Sequence, residues 1–109
     1  MMIPTDLDPR LGEAVRRLVE LFQPERVYLF GSQARSEANE HSDYDILVVI
    51  RDSEQPRLRR AQEGYRALRG VGIPIDLLVW TRDEFERYQP VVASLAATVV
   101  REGALLYAA

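Results

Sequence analysis

The sequence predicts an α/β fold, a small mixed sheet flanked by helices. Three observations predict it. Short strand-like runs, Arg26 to Phe30, Tyr44 to Ile50 and Ile73 to Trp80, alternate with stretches of helical periodicity. Tyr44 to Ile50 is apolar on both faces beyond its opening residues, as in a strand covered on both sides. A chain of 109 residues supports one modest core, so sheet and helices are expected to share a single domain, residues 1–109.

The elements follow in order. Met1 to Leu7 reads as a loose lead-in. Asp8 suits a helix N-cap and Pro9 the first helical position. Leu11, Val15, Leu18 and Phe22 then recur at helical spacing until Pro24 stops the helix. Arg26 to Phe30 is the first strand. Gly31 supplies a turn with no side chain, where a phosphate could approach the backbone. Ser32 to Ala38 suits a short helix whose free N–H groups and positive dipole end would favour a triphosphate. Asn39 to Ser42 is loop, and its His41, the only histidine, reads as solvated.

Tyr44 to Ile50 is the central strand. Alternation puts Tyr44, Ile46, Val48 and Ile50 on one face and Asp43, Asp45, Leu47 and Val49 on the other. Ser53 or Gln55 opens the next helix, with Pro56 in its first turn and an apolar stripe of Leu58, Ala61, Tyr65 and Leu68. Gly64 in its middle weakens it by roughly 1 kcal/mol relative to alanine. Arg59, Arg66 and Arg69 lie on an adjacent stripe, a solvated face or a docking surface for an acidic partner. Ile73 to Trp80 is the third strand, with Pro74 at its start arguing for an edge. Thr81-x-x-Glu84 is a capping box opening a helix that Pro90 breaks. A second segment carries Val92, Leu95, Ala96 and Val99 to Gly103, and Ala104 to Tyr107 suits a short last strand.

Composition removes several chemistries. There is no cysteine, hence no disulfide, thiolate metal site or cysteine nucleophile. Every basic residue is arginine, so phosphate recognition falls to guanidinium or backbone N–H groups. A net charge of −3 argues against direct nucleic-acid binding by the chain alone. No signal-peptide core or membrane-length apolar run is visible, so a cytoplasmic location is expected.

Against that background, one stretch carries the chemistry. Asp43 and Asp45 share a strand face, about 6.7 Å apart at Cα, at a strand entrance beside a glycine turn. Asp76 interrupts the third strand, where a charge amid apolar residues needs compensation. Three aspartates from two strands, with no histidine or cysteine beside them, suit a hard cation such as Mg²⁺ or Mn²⁺.

Gly31-Ser32-Gln33-Ala34-Arg35, then Ser42-Asp43-Tyr44-Asp45, resembles the signature of the DNA polymerase beta superfamily of nucleotidyltransferases, its minimal (MNT) branch in particular. The resemblance implies the nucleotidyltransferase fold. It also implies that Asp43 and Asp45 bind the metals holding the triphosphate of ATP or another NTP, and that Asp76 binds the metal activating the attacking hydroxyl. Gly31 and Ser32 would cradle the phosphates, Arg35 would add charge, and Ser42 belongs to the nucleotide site. Two Mg²⁺ ions about 3.5–4 Å apart would flank the reacting phosphorus, and pyrophosphate would leave without a covalent enzyme intermediate. The core fills the chain, so the acceptor platform is expected on another polypeptide. In MNT systems that partner resembles a HEPN-domain toxin, which implies a hetero-oligomer, adenylylation of a partner tyrosine and an antitoxin role. Two further classes stay open: a non-catalytic protein neutralising its partner by occupation, and an enzyme acting on a small molecule or RNA end. The face carrying the aspartates also carries Leu47, Val49, Leu78 and Trp80 by alternation. Trp80 is then either core or the anchor of an exposed docking patch.

Overall fold

The computed structural model describes residues 8–31, 43–91 and 94–109. Helix α1, Pro9–Phe22, leads into strand β1, Arg26–Phe30. Strand β2, Tyr44–Ile50, helix α2, Arg57–Ala67, and strand β3, Ile75–Thr81, follow. Helices α3, Arg82–Tyr88, and α4, Leu95–Glu102, precede strand β4, Ala104–Ala108. The strands form one sheet of order β3-β2-β1-β4. The β1–β2 and β1–β4 pairs are antiparallel and β2–β3 is parallel, so the sheet is mixed. A parallel pair needs a long crossover, and α2 supplies it.

Local chemistry sets the boundaries. The Asp8 carboxylate accepts the Arg10 N–H at 2.9 Å, capping α1, and Pro9 occupies its first turn. α1 ends at Gln23, a left-handed residue, with Pro24 immediately after it. β3 begins at Ile75, two residues later than the periodicity suggests. Pro74 has no N–H to donate, but its carbonyl accepts the Tyr44 N–H at 2.9 Å.

The sheet is buried on both faces. Tyr44, Ile46, Val48 and Ile50 of β2 pack with Val27, Leu29, Leu77 and Val79 against Leu11, Ala14, Val15 and Leu18 of α1. On the opposite face Tyr28, Leu47, Val49 and Trp80 pack with Phe85 of α3 and Ala96 and Val99 of α4. This overturns the expectation of an exposed apolar patch. Leu47 and Val49 are 0% and 3% exposed, because two helices cover that face. Trp80 is core.

α2 faces the sheet differently from its apolar stripe. Of that stripe Leu68 is buried in the core, but Leu58 and Tyr65 are exposed, while Arg60 and Gly64 are buried. A Cβ on Gly64 would lie 2.3 Å from Leu77 Cδ2, so the glycine serves close packing of α2 on β3. Arg60 points inward because its guanidinium is satisfied there. It donates to the Gln55 carbonyl at 2.9 Å, the Val79 carbonyl at 3.0 Å and Glu84 Oε1 at 2.8 Å. Glu84 also accepts the Thr81 N–H and Arg57 Nε, closing the capping box of α3.

Burial by itself would raise the Glu84 carboxyl. Hydrogen bonds from Arg60, the Thr81 backbone and Arg57 outweigh it and hold the group at about 2, below its ordinary 4.5. A depressed carboxyl stabilises the fold above its unfolded value, and that contribution is lost as pH falls from about 4.5 towards about 2. Removing one partner of a buried pair costs about 3 kcal/mol or more. Arg60→Met should therefore lower the unfolding free energy by about that amount in urea at pH 7. It should also flatten the acid dependence between those two values. A variant as stable as the native chain, with the same acid profile, would show the network to be dispensable.

Candidate active site

The sheet brings the carboxylates together at one end. Tyr44 pairs with Ile75, Asp45 with Asp76, and Phe30 of β1 pairs with Asp45 from the other side. In-register neighbours on adjacent strands stand about 4.8 Å apart and point to the same face. Asp45 and Asp76 are thus side by side, with Asp45 half-buried and Asp76 exposed. Asp43 is exposed and immediately precedes β2. Helices α3 and α4 pack on the same face with Leu47, Val49 and Trp80, further along the strands.

Gly31 closes the site from β1. It has φ +75°, a conformation side chains rarely adopt, and a Cβ there would lie 2.2 Å from Asp45 Oδ2. The glycine therefore lets the backbone lie directly against a carboxylate. Ser32, Arg35, His41 and Ser42, together with the helix expected over Ser32 to Ala38, lie outside the described residues.

The donor set is all carboxylate oxygen, the chemistry a hard cation prefers. Among the described residues, however, no group of three or more carboxylate, imidazole or thiolate side chains is gathered closely enough to hold a metal ion. Asp45 and Asp76 form the adjacent pair, and Asp43 stands one strand repeat away. The fit is one of donor chemistry and register, with the three groups lined along the sheet end.

Tyr65 is a contact that sequence reasoning missed. It sits in the expected apolar stripe of α2, yet its hydroxyl reaches the edge of β3. There it accepts the Leu77 N–H at 2.8 Å and lies 3.4 Å from Asp76 Oδ1. An edge strand has backbone groups to satisfy, and this hydroxyl covers one of them while touching the carboxylate. The only hint in the sequence is that tyrosine, alone among the stripe residues, carries a polar tip.

A groove of about 1080 Å³ lies at the opposite end of β2, lined by Glu25, Arg26, Arg51, Asp52, Arg82 and Glu86 among others. Arg82 pairs with Glu25 within it. Its charges are mixed, and none of the three aspartates lines it.

Known proteins resemble the chain in sequence and fold. The family described as nucleotidyltransferase domain matches residues 11–104. A putative protein adenylyltransferase of Methanocaldococcus jannaschii is 34% identical over 55 residues, 50% of this chain and 54% of that protein. The chain thus spans about half the length of this curated relative. The crystal structure of a putative nucleotidyltransferase from Sulfolobus solfataricus aligns with TM-score 0.66 and 28% identity, over 91% of this chain and 78% of that one. A crystal structure described as the toxin-antitoxin with AMP-PNP aligns with TM-score 0.55 and 25% identity, over 89% of this chain and 73% of that one.

Proposed function

The chain belongs to the nucleotidyltransferase domain family, and from that premise we propose that it is a nucleotidyltransferase transferring a nucleoside monophosphate, AMP first, from an NTP to a protein hydroxyl. The observation that carries this reading is the in-register pair Asp45 and Asp76 with the Gly31 backbone against it. The acceptor we assign is a tyrosine of a HEPN-type toxin, which makes the chain its antitoxin. The relative named for protein adenylylation and the toxin-antitoxin neighbour with AMP-PNP support a protein acceptor and a toxin partner, while the tyrosine and the HEPN-type fold follow from the MNT resemblance.

Each residue has a role in this scheme. Gly31 would leave room for the triphosphate at the turn after β1, and the motif residues Ser32, Arg35 and Ser42 are assigned to the nucleotide from the sequence motif alone. Asp43, Asp45 and Asp76 would hold Mg²⁺ or Mn²⁺, which supplies positive charge to the phosphates and acidifies the attacking hydroxyl. Asp76, exposed on the edge strand, would serve the acceptor. The acceptor oxygen forms a bond to the α-phosphorus, the bond from that phosphorus to the β-phosphate oxygen breaks, and pyrophosphate leaves. The acceptor proton passes to solvent or a carboxylate.

The test combines purified partner, chain, ATP and Mg²⁺, with pyrophosphate release and partner mass as readouts. The partner is expected to gain the mass of one or more AMP units. Mg²⁺-dependent ATP binding without any transfer would sink the enzymatic reading. One observation favours a second reading: the three carboxylates are not gathered into a cluster. The chain would then neutralise its partner by complex formation alone, and inhibition of the partner without nucleotide would distinguish this.

Three substitutions separate binding from chemistry. Calorimetric titration with ATP and Mg²⁺ should lose most of its signal in Asp43→Asn and in Asp45→Asn. Undiminished heats in both variants would refute the metal assignment. Asp76→Asn should instead lower turnover by about 10-fold or more while ATP affinity changes little. Equal loss of ATP binding would move Asp76 to the triphosphate side.

A further inference from the structure

We propose that the cleft on α2 lined by Gln62, Tyr65, Arg66 and Arg69 docks an acidic segment of the acceptor protein next to its reactive hydroxyl. The proposal rests on the reaction assigned above and names the surface that reads its acceptor. The cleft has a volume of about 370 Å³. It adjoins the site through Tyr65, whose hydroxyl donates to Asp76 Oδ1 at 3.4 Å.

The charge is what singles this surface out. Arg59, Gln62, Arg66 and Arg69 follow one another at spacings of three and four along one stripe. Among the described residues, Arg10, Arg16, Arg17, Arg57, Arg60 and Arg82 each pair with a carboxylate. Arg59, Arg66 and Arg69 pair with none of the described carboxylates. Nor do the carbonyls closing α2 occupy these guanidiniums. The Ala67 and Arg69 carbonyls accept Arg17 Nη1 at 3.2 and 2.7 Å. Arg10 Nη1 donates to the Gly72 carbonyl at 2.7 Å, pinning the turn that follows. The arginines of the cleft are thus presented by an anchored helix end with their charges uncompensated.

Guanidinium groups with no internal partner match carboxylates, which they bind in a two-pronged geometry. The chain as a whole carries −3, so a long polyanion would feel net repulsion beyond this patch. A short acidic peptide engages only the local field, within a screening length of about 8 Å at physiological salt. That asymmetry favours a peptide over RNA.

The experiment measures fluorescence anisotropy with three labelled probes. These are a peptide with tyrosine flanked by glutamates, the same peptide with glutamines, and an oligouridylate of equal charge. The native chain should bind the glutamate peptide about tenfold more tightly than the glutamine one, and this preference should weaken with salt. Arg66→Gln combined with Arg69→Gln should erase the preference and leave the Mg²⁺-ATP titration unchanged. Equal affinity for the two peptides, an unaltered preference in the double variant, or tighter binding of the oligouridylate would overturn the proposal. Failure of the reaction reads differently: a chain that prefers the acidic peptide yet binds no ATP keeps the docking cleft and loses the transfer chemistry.

Discussion

Gly31→Ala is expected to lower nucleotide transfer by about 100-fold or more, the scale on which a displacement of about 1 Å in a reacting site acts. Two effects coincide at this position. The backbone has φ +75°, which costs a residue with a side chain about 1–3 kcal/mol. The first side-chain carbon would also lie 2.2 Å from Asp45 Oδ2, so the carboxylate or the turn must move. The conflict is made by Cβ itself, so alanine should be nearly as damaging as valine. If only bulk in the phosphate space mattered, alanine would be tolerated and Gly31→Val alone would fail. Steady-state transfer by both variants, with circular dichroism to verify the fold, distinguishes the two cases. Native turnover in Gly31→Ala would show that the Asp45 carboxylate can swing aside at no cost, and the contact between β1 and β2 would lose its catalytic meaning.

That contact also marks the limit of what could be read from residues alone. β1 and β2 span the strand-like runs Arg26 to Phe30 and Tyr44 to Ile50, and Asp8 and Thr81 cap helices because their short polar side chains reach backbone N–H groups nearby. Such features are local, and local chemistry is written in adjacent residues. The pairing of Asp45 with Asp76 is not local. It requires β3 to lie parallel to β2 in one register, which depends on the path of α2 across the sheet. Alternation put both carboxylates on one face, but only the sheet makes them neighbours. Serine, arginine and histidine positions in the motif loop fall outside the described residues, so for Ser32, Arg35, His41 and Ser42 the sequence remains the sole guide.

The orientation of α2 failed for a different reason. Hydrophobic periodicity assumes that the inward face is the apolar one. Here the inward positions are Arg60, held by two carbonyls and Glu84, and Gly64, admitted for its small size. Leu58 and Tyr65 are displaced outward as a consequence. Displacement of Tyr65 is what brings its hydroxyl to Leu77 and Asp76. A buried arginine network thus rotates the helix into the orientation that joins its arginine stripe to the candidate site.

Trp80→Ala is expected to destabilise the fold by about 3–5 kcal/mol, the usual cost of truncating a large buried aromatic. Trp80 is 9% exposed and lies in the cluster with Tyr28, Leu47, Val49 and Phe85. Its ring meets Tyr88 edge-on at 6.5 Å, and the Arg57 guanidinium sits 5.1 Å from its centroid. Alanine would remove both contacts and leave a cavity between β3 and the helices over it. Domains of this size hold about 5–15 kcal/mol in total, so the loss is a large share. A fall in melting temperature of roughly 10 °C or more should follow. The alternative role, an exposed anchor for a partner, makes the opposite forecast: a small change in melting temperature and a large loss of partner affinity. Thermal unfolding of the isolated chain, followed by a binding titration with the partner well below the variant's melting point, separates the two. A melting temperature within a few degrees of native would contradict the core assignment. A destabilised variant that still binds its partner with native affinity would place docking away from Trp80, leaving the α2 face beside Asp76 as the acceptor's approach.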